Sequence, residues 1–236
     1  MTDFEQSVSG IGALAEPVRR ELYRYVCAQP DPVSRDQAAE AVGVARHAAK
    51  FHLDKLESEG LLQTGYARVT GRTGPGAGRT SKLYRRAAGD IAVSLPPREY
   101  QLAGMVMADA IVETERTGRP ILETLNQAAK ARGTAIAQAA HRAATGGDVL
   151  DATAQVLAEN GYEPRYDGHR LTLANCPFHA LAVTHTNLVC HMNLALITAL
   201  ADNLAPTRVA AALDPGPGRC CVTLEATGEV SERTDQ

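Results

Sequence analysis

Four of the five cysteines, Cys176, Cys190, Cys220 and Cys221, fall in the last quarter of the 236-residue chain, with His179, His185 and His191 among them. Thiolate with imidazole is a ligand set for zinc, copper(I) or an iron–sulfur cluster. Cys176-Pro177-Phe178-His179 has a two-residue spacer that lets both side chains reach one metal. Cys190 and Cys220 lie too far along for a zinc-ribbon pattern, so the fold must bring the ligands together. Cysteine is also a small buried hydrophobe, and a structural role or a thiol redox switch competes with a metal. Cys27, alone on an N-terminal helix, takes the structural reading, and His141 and His169 are expected to face solvent. Adjacent Cys220 and Cys221, if on a strand, would point to opposite faces, so one of them is expected to ligate.

A second constellation lies in the first half. Residues 44–59 read as a helix stopped by Gly60, with Ala49, Leu53 and Leu56 at i, i+4, i+7 facing a core. The opposite side offers Arg46, His47 and Lys50, with Phe51 and Asp54 beside them. Such a helix fits the major groove, where Arg can fork onto guanine and Lys can reach guanine or phosphate. His52 is expected to pack or hydrogen-bond. Ahead of this helix, Ser34 and Gln37 form a capping box for a short helix 35–42, which ends at Gly43. Behind it, a strand from Leu61 to Val69, a Gly-rich loop and a strand from Ser81 to Arg86 read as a β-hairpin. Arg72 and Arg79 stand on its tip as candidates for minor-groove or phosphate contact, and Lys82, Arg85 and Arg86 on its return strand as anchors to the DNA backbone. The order is that of a winged helix-turn-helix. The Gly-rich loop is not a nucleotide-binding P-loop: Thr73 stands where its first glycine belongs, and Arg79 where lysine is required.

Charge follows the same division. Residues 17–86 carry 13 Lys/Arg against 7 Asp/Glu, whereas residues 87–236 carry 11 against 17. A basic block in a chain of net charge −3 is an electrostatic footprint for a polyanion. Hydrophobic residues make up 44% of the chain with no Trp, as expected of an Ala/Leu/Val-rich, largely helical protein. No apolar run is long enough to span a membrane, and the opening Met1-Thr2-Asp3-Phe4-Glu5 is acidic, unlike a signal peptide. The expected location is the cytoplasm, where a disulfide framework is disfavoured.

The remaining pattern supplies the elements that must position these groups. Residues 11–28 read as a first helix, with Pro17 in an early turn. Pro96-Pro97 marks a boundary, followed by long helices at 98–117 and 120–145 and a further helix at 148–160. Strands are expected at 162–167, 169–174, 207–213 and 220–226, around a helix near 178–203. The fold class is mostly α with α+β: a winged helix-turn-helix at 10–90, central dimerisation helices at 96–146, and a small C-terminal α+β domain at 147–228 carrying the cysteines.

His52-Leu53-Asp54-Lys55-Leu56, Glu59-Gly60-Leu61-Leu62, Gly74-Pro75-Gly76-Ala77-Gly78-Arg79 and Lys82-Leu83-Tyr84 resemble the ArsR-like winged-helix regulators. More closely, the chain resembles their SufR-type iron–sulfur branch, through Asn175-Cys176-Pro177-Phe178-His179, Val189-Cys190 and Gly218-Arg219-Cys220-Cys221. The resemblance implies a homodimer on double-stranded DNA with inverted half-sites, and an iron–sulfur cluster on Cys176, Cys190 and Cys220. Asn203-Leu204-Ala205 occupies the stretch where some members carry another cysteine. His179 is the first candidate for the fourth ligand, ahead of His185 and Cys221. The expected function is a DNA-binding transcriptional repressor sensing iron–sulfur or redox status. The alternative is a regulator that responds to zinc or to a small organic effector, with structural cysteines. No Cys-x-x-Cys, Ser/His/Asp set or nucleotide fingerprint points to an enzyme.

Overall fold

A computed structural model describes residues 3–67, 80–141, 149–167, 170–206 and 208–227. The chain forms two compact units, Met1–Val93 and Ser94–Gln236.

In the first unit, the helix expected across 11–28 is two helices, α1 (Asp3–Ala13) and α2 (Pro17–Ala28). The break has a local cause. Glu16 accepts hydrogen bonds from the amides of Val18 and Arg19, and Pro17 at the first helical position needs no partner for an amide it lacks. Arg19 and Arg20 then reach back and donate to the carbonyls of Ala13 and Leu14, both at 3.0 Å, which closes the end of α1. Strand β1 (Val33–Ser34) leads into α3 (Arg35–Val42), where the capping box of Ser34 and Gln37 forms as its residue types predict. Gly43, at φ +72°, turns the chain into α4 (Arg46–Ser58). A side chain there would have to adopt the left-handed conformation that glycine tolerates best.

Strands β2 (Leu62–Ala67) and β3 (Ser81–Arg86) pair antiparallel, and β1 adds to the far side of β3, giving the order β1-β3-β2. Leu22, Leu53, Leu56 and Tyr84 are the largest side chains in the core beneath. This is a winged helix-turn-helix arrangement. The hairpin tip with Arg72 and Arg79 lies outside the described residues.

The second unit begins with α5 (Tyr100–Thr117), α6 (Ile121–His141) and α7 (Val149–Glu159). Strands β4 (Pro164–Asp167) and β5 (Arg170–Leu173) follow, then α8 (His179–Thr184), α9 (Thr186–Leu204), β6 (Val209–Leu213) and β7 (Val222–Ala226). The helix expected near 178–203 is therefore divided at His185. The four strands form an antiparallel sheet in the order β4-β5-β7-β6. Helix α9 is apolar nearly all round and is the central buried element, packed along α6 and against β6. Helices α5 and α6 share one hydrophobic core with α9 and the sheet, from Ala103 and Leu125 through Leu196 to Leu171 and Cys220. Among the described residues, no helix is long and apolar enough to cross a membrane.

Candidate nucleic-acid interface and thiol site

Helix α4 divides as its spacing predicts. Ala49, Leu53 and Leu56 are fully buried, while Arg46, His47, Lys50 and Phe51 are exposed. Arg46 stands at the first helical position with 75% of its side chain exposed, and Lys50 one turn later with 60%. Each has an acidic neighbour. Arg46 lies 3.4 Å from Asp36 at the start of α3, and Lys50 lies 3.1 Å from Asp54. Exposed pairs of this kind are weak, so both cations can be turned to a phosphate or a base edge.

Lys82 is differently employed. It extends from β3 and donates to Asp54 at 2.9 Å and to Glu57, and only 28% of its side chain is exposed. The Tyr84 hydroxyl donates to the same Asp54 oxygen at 2.9 Å. Partial burial would raise the Asp54 carboxyl. Hydrogen bonds from Lys82, Lys50 and Tyr84 win and hold it at about 2. Burial and the bond to Asp54 push the Tyr84 phenol up to about 12. Within this unit, Lys82 is a strut between the hairpin and α4. Its expected contact with DNA now competes with two carboxylates. Arg85 and Arg86 are exposed on the same strand. His52 fulfils its expected local role, 3.4 Å from both the Glu16 carboxylate and the Arg19 guanidinium.

In the second unit, the loop between β5 and α8 carries Asn175 and Cys176 and is tightly held. The buried Asn175 amide donates to the carbonyls of Pro97 (3.0 Å) and Gly161 (2.6 Å). Its oxygen accepts from Arg98, which also donates to the Cys176 carbonyl at 3.1 Å. Gly161 has φ +81°, and an added Cβ would lie 3.3 Å from Pro97. From the other side, the Cys220 amide donates to the Leu173 carbonyl at 2.7 Å, which places Cys220 beside the end of β5. Cys190 enters from the buried face of α9.

The four cysteines meet in this place. Cys176 lies beside Cys220, Cys220 beside Cys221, and Cys221 beside Cys190, close enough for each thiol to act on the titration of the next. Cys176, Cys190 and Cys220 are buried. The expectation that neighbours 220 and 221 face apart rested on a strand, and both precede β7; Cys220 is buried and Cys221 half-buried. The Asn193 side chain donates to Cys220 Sγ at 3.2 Å, and the backbone amides of Phe178 and Val222 favour the thiolates of Cys176 and Cys220.

The bond to Cys220 and burial push the Cys176 thiol well above its ordinary range, against lowering by the Phe178 amide and the Arg98 charge. For Cys220, the bond from Cys176 lowers, but the bond to Cys221 and burial prevail, pushing it to about 11. Burial raises Cys190. Buried, protonated thiols of this kind are poor nucleophiles. The contacts run as a chain, and among the described residues no group of three or more His, Cys, Asp or Glu side chains is set so as to hold a metal ion. The donor chemistry suits a thiophilic metal, and binding one would require the sulfurs to close around it.

His179, expected near Cys176, is exposed at the start of α8, and His185 is exposed between α8 and α9. His191 is exposed and bonded within α9, its Nδ1 lying 2.7 Å from the Asn187 carbonyl. The residue brought to the other three cysteines is thus Cys221. The structure adds Arg98, Asn193 and Tyr162, which sequence reasoning missed, and gives a role to Asn175, known from the sequence only as part of a motif. The only visible signal was a polar Asn193 inside the apolar run 188–201. Cys27 belongs to the first unit, on α2.

A family model described as a helix-turn-helix domain matches residues 14–64, from the end of α1 to the first half of β2. No curated protein and no solved structure matches the chain. The N-terminal unit is a helix-turn-helix domain, the kind of domain with which DNA-binding regulators read their sites.

Proposed function

We propose that this chain is a homodimeric transcriptional repressor of operators with inverted half-sites. Its C-terminal unit would report iron–sulfur or redox status through Cys176, Cys190, Cys220 and Cys221. The observation that carries the sensing half is the meeting of four thiols, distant in sequence, in one largely buried place. Cysteine usage of that kind in a small core has an ordinary packing explanation one residue at a time. Four together, with the Asn193 N–H aimed at the Cys220 sulfur, favour a thiolate-binding centre. A free-thiol switch is less favoured, because reactive thiols need a lowered pKa and access to solvent. A bound iron–sulfur cluster would supply a state that changes with iron supply and oxidation. Its occupancy needs to change operator affinity by only about 1–3 kcal/mol to act as a switch.

Dimerisation is supported by the apolar residues that α5 and α6 leave exposed, Met105, Ile111, Val112, Ile121 and Leu122. A two-fold pair of α4 helices would match inverted half-sites.

The experiment is purification without oxygen, followed by an absorbance spectrum, iron, sulfide and zinc analysis, and operator binding beside Cys176→Ser. Visible charge-transfer bands with stoichiometric iron and sulfide, lost in the variant, are expected. Equal operator affinity and equal response to iron or oxidant would remove the thiols from the mechanism.

One observation favours a second reading, an organic effector. A cavity of about 450 Å³ is lined by Leu122, Leu125, Asn126, Asn187, Leu188 and His191. That volume suits a small ligand. Colourless, metal-free protein whose operator binding still responds to a small molecule would select it.

A further inference from the structure

Asn193 sits in the middle of α9 with no exposed surface, flanked on the helix by buried Val189, Met192, Leu196 and Ile197. A carboxamide in such a place costs free energy unless its polar atoms are paired. Both ends are. The buried Tyr162 hydroxyl donates to Asn193 Oδ1, and Asn193 Nδ2 donates to Cys220 Sγ at 3.2 Å. In this orientation the hydroxyl occupies the oxygen and the NH₂ end faces the sulfur.

Tyr162 is itself held. Its amide donates to the Leu157 carbonyl at 3.1 Å, and its ring meets Phe178 edge-to-face, with centroids 6.5 Å apart. Phe178 follows Cys176 by two residues. One chain of contacts therefore runs from the Cys176 loop through Tyr162 and Asn193 to Cys220.

We propose that Asn193, oriented by Tyr162, is the positioning residue of the thiol site, holding Cys220 Sγ for a thiophilic metal or cluster. The inference rests on the preceding reading that these thiols bind such a group. An N–H donor on a ligating sulfur fixes its lone-pair direction and draws off part of its negative charge, effects that tune metal affinity and the energy of charge transfer. If Asn193 were only structural, an apolar replacement of similar size would change stability and leave the sulfur's chemistry alone.

Cobalt(II) is the probe, because its thiolate charge-transfer and d–d bands report sulfur ligation directly. Full-length reduced protein is titrated with cobalt(II) against a chelator, for wild type, Asn193→Leu and Tyr162→Phe, with thermal unfolding measured in parallel. Asn193→Leu is expected to weaken cobalt binding roughly 10–100-fold and to shift the charge-transfer band. Tyr162→Phe should move both in the same direction by less. Affinity and band both unchanged in Asn193→Leu, with wild type binding normally, would overturn this role alone. Should that variant not fold, unchanged behaviour of Tyr162→Phe overturns it equally. Absence of thiolate bands in wild type would bring down the metal-binding reading, and this role with it.

Discussion

Lys82 Nζ lies 2.9 Å from Asp54 Oδ1, so the return strand of the hairpin is ionically fastened to the middle of the exposed helix α4. Glu57 accepts from the same ammonium, and Lys50 and Tyr84 complete the surround of Asp54. Lys82→Met should therefore loosen the hairpin from α4, with a loss of about 1–2 kcal/mol for charged hydrogen bonds that are half-exposed. Operator affinity should fall with it. The check is thermal unfolding of the full chain together with operator titration.

The same cluster predicts an acid response. Asp54 is held at about 2, below the ordinary carboxylate value. A depressed carboxylate contributes stability that is present above its unfolded pKa and lost as pH falls through the folded one. The first unit should thus lose stability between about pH 4 and pH 2, and Asp54→Asn should flatten that part of the profile. Circular dichroism melts across this interval test it. An Asn variant that titrates as steeply as wild type would remove Asp54 from the acid response.

Arg46 and Lys50 should fail differently. Arg46 stands at the N-terminal end of α4, where helices in the major groove touch base edges. Arg46→Ala is expected to cost about 1–3 kcal/mol and to relax discrimination among operator sequences. Lys50→Ala should weaken all sequences alike and reduce the magnitude of the salt slope by about 1, as for one lost phosphate contact. Titrations of operator and scrambled duplex across a salt series separate the two.

Much of the DNA-binding unit was legible because its signals are local. The Ser34–Gln37 box, Gly43 and the apolar spacing of Ala49, Leu53 and Leu56 each determine structure within a turn or two. The break at 14–16 was not read, because it depends on Glu16 capping the start of α2 and on two arginines reaching back to the end of α1. In the second unit, most helices and strands were legible from periodicity. The fourth thiol was not. His179 has the better spacing to Cys176, but spacing cannot say that α8 starts there with its first residue exposed. Nor could alternation place Cys221, since residues 220 and 221 lie just ahead of their strand. Asn193 and Tyr162 meet across 31 residues, and no sequence pattern joins them.

At Gly133 the backbones of α6 and α9 approach with no room for a side chain, and its substitution tests that packing. A Cβ added there would lie 2.1 Å from the Leu196 carbonyl oxygen and 3.1 Å from the Leu200 amide nitrogen. Both are backbone atoms in the buried helix, so no rotamer change relieves the clash, and the helices must separate. Gly133→Ala is expected to destabilise the second unit by about 1–3 kcal/mol despite the better helix propensity of alanine. Gly104 on α5 is the matched control, because a Cβ there meets nothing within 4 Å. Gly104→Ala should gain roughly 0.5–1 kcal/mol from propensity alone. Cys190 and Asn193 ride on α9, so Gly133→Ala should also expose Cys190 to alkylation in the native protein, which Gly104→Ala should not. Thermal unfolding and thiol labelling of the two variants side by side decide the matter. A Gly133→Ala protein as stable and as slowly labelled as wild type would show that α6 and α9 are not in contact there.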